Sequence, residues 1–320
     1  VSRKLFDESS IELLRTRAQL LRSQYQLRES KTSILIELVN DILDYKYYIE
    51  ASEIQTAYEK NYKRLVEFAR EKEEIREAQK RWYSVRKGVL EAESALNNFS
   101  NDKSDINEEN IEELYNEVIK RSKGWEEMLP QENAPFPSGK NLEALRLSLE
   151  AAHREADFWF LPYIPNPTLS AGLSYNVDTQ ALEWNFSVGL SVDVIDRGER
   201  ANESLMRKKS RTLSQLELED ALRTSRRATE DAWKEKEVLW LNYQIAVIEK
   251  EEEMEDFQTA EQLKKGEFIS EEEYELQELN YRNAVLSERR AYHTYLLQVL
   301  RLLNEYDIKL LLLEGKSDVL

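Results

Sequence analysis

The sequence predicts a mainly α-helical protein with a single β-hairpin, built on very long helices that pair as antiparallel coiled coils. Three observations predict this fold class. Only 8 glycines and 6 prolines occur among 320 residues, well below the average usage of roughly 7% and 5%. The stretch 199–265, which contains neither residue, repeats apolar side chains every seven positions. One short segment changes to strict alternation with a period of two.

The composition excludes several classes of function. With 45 basic and 62 acidic residues the net charge is −17, which argues against nucleic-acid binding because phosphate contacts need clustered Lys and Arg. There is no cysteine, and His153 and His293 each stand alone in a helical pattern, as packing or surface residues do. No phosphate loop or nucleophile motif occurs. We therefore expect no enzyme activity, no cofactor and no metal.

Residues 1–98 predict a first long helical hairpin. Residues 1–87 contain neither glycine nor proline, so one helix is expected to run without a break until a turn near Gly88. Its apolar face comprises Leu35, Leu38, Ile42, Tyr45 and Ile49.

Residues 99–140 contain several glycines and prolines and predict an irregular insert with one short helix over 108–123. A helix over 141–160 then leads to prolines at positions 162, 165 and 167.

The segment 161–198 predicts the β-hairpin, because apolar and small polar residues alternate along both of its strands. The polar positions carry Ser, Gly and Asn where a soluble sheet would carry Lys, Glu and Arg. Aromatic residues at one end are typical of a membrane interface. A hairpin packed on helices in a soluble protein is the alternative. The expected lipid-facing residues are Leu169, Ala171, Leu173, Tyr175, Trp184, Phe186, Val188, Leu190, Val192 and Val194.

Residues 199–303 predict a second long helical hairpin, followed by a tail over 304–320. The block 199–265 has no glycine or proline and would form roughly 100 Å of helix. Within it Trp233, Trp240, Val247 and Met254 recur every seven residues, which indicates a left-handed coiled coil. The tip is expected near 263–270, where Ser270 and Glu273 match a capping box.

Two strands alone would leave unsatisfied backbone groups at their edges in a membrane. Several chains would therefore have to complete one barrel. Either more strands precede Val1 or the assembly is larger than a trimer, since six strands are fewer than the roughly eight of a small barrel.

This order of elements resembles the TolC-like outer-membrane efflux protein family. The matching residues are Leu161-Pro162, the strand sequences 169–175 and 187–192, and Asp196-Arg197-Gly198-Glu199-Arg200 at the strand-to-helix junction. The resemblance is good over 141–308 and weaker over 1–98. It implies that the sequence from Val1 onward lacks the N-terminal helix and the first β-hairpin of the family.

The resemblance implies a homotrimeric outer-membrane channel with a shared β-barrel and a long periplasmic helical tube. Its partners would be outer-membrane lipid, a periplasmic adaptor protein and an inner-membrane pump. Family constrictions map to Glu272 and Glu275. The tip that would meet the adaptor comprises Lys264, Lys265, Gly266, Phe268, Ile269 and Ser270.

Charge is concentrated at this tip. Residues 251–275 contain eleven acids and two lysines, so 2 − 11 = −9 of the net charge of −17 lies there. Carboxylate rings in pores favour cations, whereas a solvated acidic surface or a match to a basic adaptor would explain the charge equally well. A soluble coiled-coil scaffold remains the alternative function.

Overall fold

The structure is a computed structural model of the 320-residue chain. The residues that it describes are 2–4, 9–68, 72–102, 108–131, 139–163, 168–176, 181–189, 197–306 and 308. They form two compact units, one within Val1–Ser30 and Phe136–Ala228, the other within Lys31–Pro135 and Thr229–Leu320.

Six helices and three strands make up the described part of the chain, which is therefore mainly helical with one antiparallel hairpin. The helices are α1 (Ser9–Phe68), α2 (Lys72–Asp102), α3 (Glu108–Met128), α4 (Lys140–Asp157), α5 (Glu199–Lys265) and α6 (Glu271–Glu305). The strands are β1 (Ser2–Lys4), β2 (Thr168–Asn176) and β3 (Ala181–Gly189). No helix in the described ranges combines the length and the apolar character that crossing a bilayer requires.

In the first unit, the start of α1 packs against α4. Ile11 and Leu14 of α1 are buried together with Ala151 of α4. Residues three positions apart, such as Ile11 and Leu14, share one face of a helix. Arg15 Nη2 lies 2.6 Å from the Glu155 carboxylate, and the Ser210 hydroxyl donates to the same carboxylate at 3.3 Å. Glu155 thus ties three helices together.

The sheet of this unit is antiparallel, in the order β1-β2-β3. Strands β2 and β3 pair over nine positions, from Thr168 opposite Gly189 to Asn176 opposite Ala181. The short strand β1, which the sequence analysis does not predict, pairs with the start of β2.

In the second unit, α6 is paired with α1 on one side and α5 on the other, antiparallel to both. Trp240 and Tyr295 have ring centroids 5.2 Å apart, and nearer the tip Phe257 stacks on Tyr281 at 5.8 Å. On the α1 side, the Tyr58 hydroxyl donates to Asn280 Oδ1 at 2.8 Å. Aromatic side chains from the heptad-patterned stretch of α5 thus pack against tyrosine side chains of α6.

The main core of the second unit lies where α1, α3 and α6 meet. Its fully buried side chains are large aliphatic residues and aromatics, which lose the most apolar surface to water on folding. They include Leu43, Val118, Trp125, Tyr295, Leu296, Val299, Leu300 and Leu303. Of the predicted α1 face, Leu35, Leu38 and Ile42 belong to this core.

The prediction of a turn near Gly88 is wrong. Gly88 lies inside α2, whereas α1 ends at Phe68 and α2 begins at Lys72. A side-chain carbon at Gly88 would stand 3.2 Å from Gln55 Oε1 on α1, so glycine permits two antiparallel helices to approach closely. Arg86 and Glu59, 2.8 Å apart, bridge the same pair of helices.

Other boundaries agree well with the sequence. Helix α5 covers the residues that the absence of glycine and proline predicts, and α4 lies within three residues of its expected bounds at each end. The insert is more ordered than expected, because α2 continues to Asp102 and α3 continues five residues beyond position 123.

Candidate functional site

The β2–β3 register places every apolar residue of one face directly opposite another apolar residue. Leu169 pairs with Val188, Ala171 with Phe186, and Leu173 with Trp184. The rings of Trp184 and Phe186 stack with centroids 6.5 Å apart. Since side chains alternate across a strand, this register gathers the whole apolar set on one side of the hairpin.

That apolar face is exposed to solvent in the single chain. Phe186 is 75% exposed and Val188 71% exposed. A contiguous apolar surface of this kind marks an interaction site in a folded protein. The remaining residues of the face that are more than half exposed are Leu169, Leu173, Leu182 and Trp184.

Apart from Glu183, which pairs with Ser174, the opposite face carries mainly small polar residues. The hydroxyls of Ser170 and Ser187 lie 2.5 Å apart, and Gly172 pairs with Asn185. Cross-strand pairs of hydroxyls stabilise register, and small residues leave room beside the sheet. The hairpin therefore has one apolar and one polar surface.

Some predicted strand residues lie outside the described residues. These are Leu190, Val192 and Val194, and of Tyr175 only the backbone is described, in β2 opposite Leu182. Sequence reasoning missed Leu182, because the alternating pattern was counted only from Trp184 onward. The same parity, extended two positions upstream, would have found it.

The tip between α5 and α6 is a tight helix-ending turn. The Phe268 amide donates to the Leu263 carbonyl at 2.9 Å and the Glu267 amide to the Lys264 carbonyl at 3.0 Å, the two bonds of a Schellman motif. The left-handed residue of that motif is Glu267, with φ of 58°, rather than Gly266. Gly266, which the sequence places in the tip, therefore immediately precedes the left-handed residue.

The predicted tip residues lie together on this turn. The Lys264 ammonium contacts Glu271 at 2.7 Å and lies 3.8 Å from the centre of the Tyr274 ring, which ties the end of α5 to the start of α6. Lys265 pairs with Glu261 at 3.1 Å. Phe268, in contrast, is 79% exposed.

Gly266 and Ser270 shape the two ends of the tip. A side-chain carbon at Gly266 would stand 2.6 Å from the Phe268 ring. Ser270 caps α6: its hydroxyl accepts from the Glu273 amide at 3.1 Å, and its own amide donates to the Glu273 carboxylate at 2.9 Å. This confirms the predicted capping box. Ile269 between them is half-buried.

The two predicted constriction carboxylates differ in their surroundings. Glu275 forms an ion pair with Arg64 of α1 and accepts from Asn61 Nδ2 at 3.2 Å. For Glu272, the backbone carbonyl is the group that accepts from Asn61, at 3.0 Å. The charge of Glu275 is thus compensated within the chain, and its role is to join α1 to α6.

The acidic stretch around the tip perturbs one of its own carboxyls. Partial burial, together with the charges of Asp256 and Glu252, raises the pKa of Glu253. The pKa of Tyr58 is raised chiefly because its side chain is buried, and the charge of Glu253 raises it further. No group of metal-binding side chains occurs among the described residues.

His293 is the most strongly perturbed titratable group between α3 and α6. Its Nε2 lies 3.2 Å from the Tyr115 hydroxyl, and its Nδ1 is buried with no hydrogen-bond partner among the described residues. Burial, and then the guanidinium groups of Arg290 and Arg289, lower the pKa of His293 to about 4. The expectation that this histidine is a packing residue fits its position in the core.

No protein-family model matches this chain, and no curated protein matches it in sequence. Its fold is nevertheless similar to that of the CmeC outer membrane channel of Campylobacter jejuni, with a TM-score of 0.64 and 13% identity over 95% of this chain and 69% of that chain. The fold is also similar to that of VceC, an outer membrane protein of Vibrio cholerae. The TM-score is 0.65 and the identity 11%, over 95% of this chain and 77% of that chain.

The open state of the MtrE outer membrane channel of Neisseria gonorrhoeae gives a TM-score of 0.59 and 14% identity, over 96% of this chain and 74% of that chain. At these identities the likeness concerns the fold. The resemblance to TolC-like outer-membrane channels is thus confirmed for the fold of the single chain, which is mainly helical with an antiparallel hairpin. The shared trimeric barrel stays a prediction.

Proposed function

We propose that this chain, whose fold is that of outer-membrane channels, is a subunit of an exit duct in the outer membrane, with a long periplasmic portion. The observation that carries the proposal is the exposed apolar face of β2 and β3, in a sheet whose strand β3 precedes a helix of 67 residues and whose strand β1 precedes a helix of 60 residues. A strand needs only alternate apolar residues to face lipid, which reconciles a mean hydropathy of −0.67 with a membrane protein. The role is transport rather than catalysis.

Three chains would share one barrel and one tube. An exposed seam on α5 supports self-association: Val238, Leu241, Ile245 and Ile248 are each more than half exposed and are spaced three and four residues apart, as in a coiled-coil interface. On α1, Leu13, Leu20 and Leu27 recur every seven residues and are exposed to the same degree. Helices with such seams are expected to pack against a second copy.

The tip would contact a periplasmic adaptor that connects the duct to an inner-membrane pump, as in tripartite efflux or secretion systems. Lys264, Lys265 and Ser270 hold the turn, and Phe268 projects from it. An exposed aromatic residue is a typical anchor in a protein interface. The constricting carboxylate would be Glu272, because Arg64 compensates the charge of Glu275.

The strand face provides the test of membrane insertion. Phe186→Lys places a charge on the apolar face, which costs about 2 to 4 kcal/mol near the middle of a bilayer. Ser187→Lys, one residue away on the polar face, is the matched control. We expect the unmodified chain and the control to require detergent for extraction and to migrate differently on gels after heating, and Phe186→Lys to lose both properties.

Equal extraction of both variants, or a chain that is monodisperse without detergent, would contradict the proposal. The second result would favour a soluble coiled-coil scaffold.

A further inference from the structure

A basic surface lies where the hairpin joins the helices of the first unit. Residues 197–211 contain six basic and two acidic residues, so their charge is 6 − 2 = +4 in a chain of net charge −17. Arg207 is engaged with Glu203 at 3.0 Å, while Arg197, Lys208, Lys209 and Arg211 are exposed. We call this segment, together with Trp159 and Tyr163, the basic junction.

Aromatic side chains accompany these charges. Trp159 follows the last turn of α4 and is 42% exposed, and Tyr163 is 49% exposed. The Lys208 ammonium lies 3.8 Å from the centre of the Trp159 ring, a cation–π contact that holds the end of α4 against α5. Neighbouring Phe158 packs toward the Ile11 and Leu14 core, whereas the Trp159 ring contacts Lys208.

The register of the hairpin explains why these groups come together. Thr168 begins β2 and pairs with Gly189, which ends β3. The links to Tyr163 and to Arg197 therefore leave the same end of the sheet. Along the chain, Tyr163 and Arg197 are separated from that end by four and seven residues, so positive charge and exposed indole and phenol rings border the apolar strands in sequence.

We propose that the basic junction binds the headgroups of anionic phospholipids at the membrane surface on the helical side of the sheet. This inference rests on the proposed function, because it requires the strands to lie in a bilayer. Trp and Tyr favour the boundary between headgroups and acyl chains. Lys and Arg are attracted to anionic lipid over about a Debye length, about 8 Å at physiological salt.

Two features favour lipid over a protein partner: the positive charge of the basic junction complements anionic headgroups, and the basic junction is continuous with the apolar strands. The basic junction is continuous along the chain with strands whose exposed residues are apolar, and the aromatic pair gives it the amphipathic character of an interfacial belt. Several basic residues elsewhere on α5, such as Lys250 with Glu288 at 3.0 Å and Lys265 with Glu261 at 3.1 Å, are paired with carboxylates of the same chain.

The test compares quenching of tryptophan fluorescence by brominated phosphatidylglycerol and by brominated phosphatidylcholine, each at the same mole fraction in phosphatidylcholine vesicles containing the full chain. The contribution of Trp159 is the difference between the unmodified chain and Trp159→Phe. We expect phosphatidylglycerol to quench Trp159 preferentially, and 1 M salt to remove the preference because the Debye length then falls to about 3 Å.

Arg197→Gln/Lys208→Gln should reduce this preference by about fivefold or more, since each basic residue near an anionic surface contributes about that factor. The matched control is Lys234→Gln/Lys236→Gln, which removes two charges from α5, including the lysine 5.2 Å from the Trp233 ring. The control should keep the preference. Arg197→Lys/Lys208→Arg should restore it, which separates loss of charge from loss of folding.

The outcomes separate this inference from the proposed function. Insertion with equal quenching by both lipids contradicts headgroup binding alone and would leave the basic junction to an acidic protein surface, such as that of a second copy. Competition by soluble glycerol phosphate at the same concentration would also contradict it, because a free anion would then suffice. Failure to enter either kind of vesicle contradicts the proposed function and this inference with it.

Discussion

At the scale of single residues, the tip turn depends on Glu267, which holds a left-handed backbone conformation that glycine adopts without strain. A side chain in this conformation costs roughly 1 to 2 kcal/mol. We predict that Glu267→Gly strengthens the local turn by up to about 1 kcal/mol, after allowance for the greater freedom of the unfolded glycine. Slower hydrogen exchange of the Phe268 amide would show this.

Gln258→Gly is the control for that substitution. Gln258 is exposed in the interior of α5, where glycine lacks any conformational advantage and should cost about 1 kcal/mol. Faster exchange at Phe268 in Glu267→Gly would contradict the assignment of Glu267 as the left-handed residue.

His293 gives the core of the second unit a defined pH dependence. Its folded pKa of about 4 lies below the ordinary value of 6.5, so the unfolded chain binds the proton more tightly. The stability is complete above pH 6.5 and falls as the pH decreases toward 4. Between pH 7 and pH 5 the loss should be about 2 kcal/mol.

The measurement is the difference in thermal midpoint between pH 7 and pH 5 for the unmodified chain and two variants. His293→Gln should lower stability at pH 7 but flatten the slope between these values. His153→Gln, which removes the other histidine of the chain, should keep the slope. An unchanged slope in His293→Gln would show that another group is responsible.

Single residues also mark the limit of what the sequence predicts. The capping box at Ser270 is local, so residues three apart reveal it. The role of Glu275 is not local, because it depends on Arg64, 211 positions away. Spacing alone made Glu272 and Glu275 equivalent, and only the packing of α1 on α6 distinguishes them.

At the scale of elements, that difference becomes a prediction about the α1–α6 pair. Glu275→Ala removes the partner of Arg64 and an acceptor from fully buried Asn61, so it should lower stability by about 1 kcal/mol, allowing for solvent screening of this partly exposed pair. Glu272→Ala should cost less than about 0.5 kcal/mol. Thermal unfolding of the two variants decides between them.

Ion selectivity gives the complementary readout. Glu272→Ala should reduce the preference of the channel for cations, because it removes from each copy a carboxylate that has no ion-pair partner among the described residues. A larger loss of stability in Glu272→Ala than in Glu275→Ala would contradict the division of roles.

Long helices and the alternating hairpin could be predicted because each has a period that the sequence displays directly. Helix α5 matched its expected bounds, whereas α2 did not. In the sequence, Gly88 indicates a helix end, but glycine equally permits close helix contact, as with Gln55. Strand β1 is only three residues long, too short for alternation to be counted.

At the scale of the whole molecule, the exposed seam on α5 should determine the oligomeric state. Leu241→Glu/Ile248→Glu places charges in the proposed coiled-coil interface, where burial of an unpaired carboxylate is costly. We predict dissociation of the oligomer with helical content retained. Gln258→Glu, exposed on another face of α5, should leave the oligomer intact, and light scattering in detergent distinguishes these results.

The charge distribution follows the same helix. The segment 197–211 carries +4 and the segment 251–275 carries −9, so one end of the α5 sequence suits an anionic surface and the other a cationic partner or passing cations. The net charge of the whole chain does not reveal that a basic segment and an acidic segment lie far apart along it. Both ends are accounted for by a duct that meets lipid at its strands and a partner at its tip.

The central claim is that this chain forms a transmembrane conduit, and single-channel conductance in planar lipid bilayers tests it most directly. We predict discrete, long-lived conductance steps from the purified full-length oligomer, with cation selectivity that decreases in Glu272→Ala. A folded oligomer that enters the bilayer and produces no conductance steps, under conditions in which its tip is free to open, would contradict the claim.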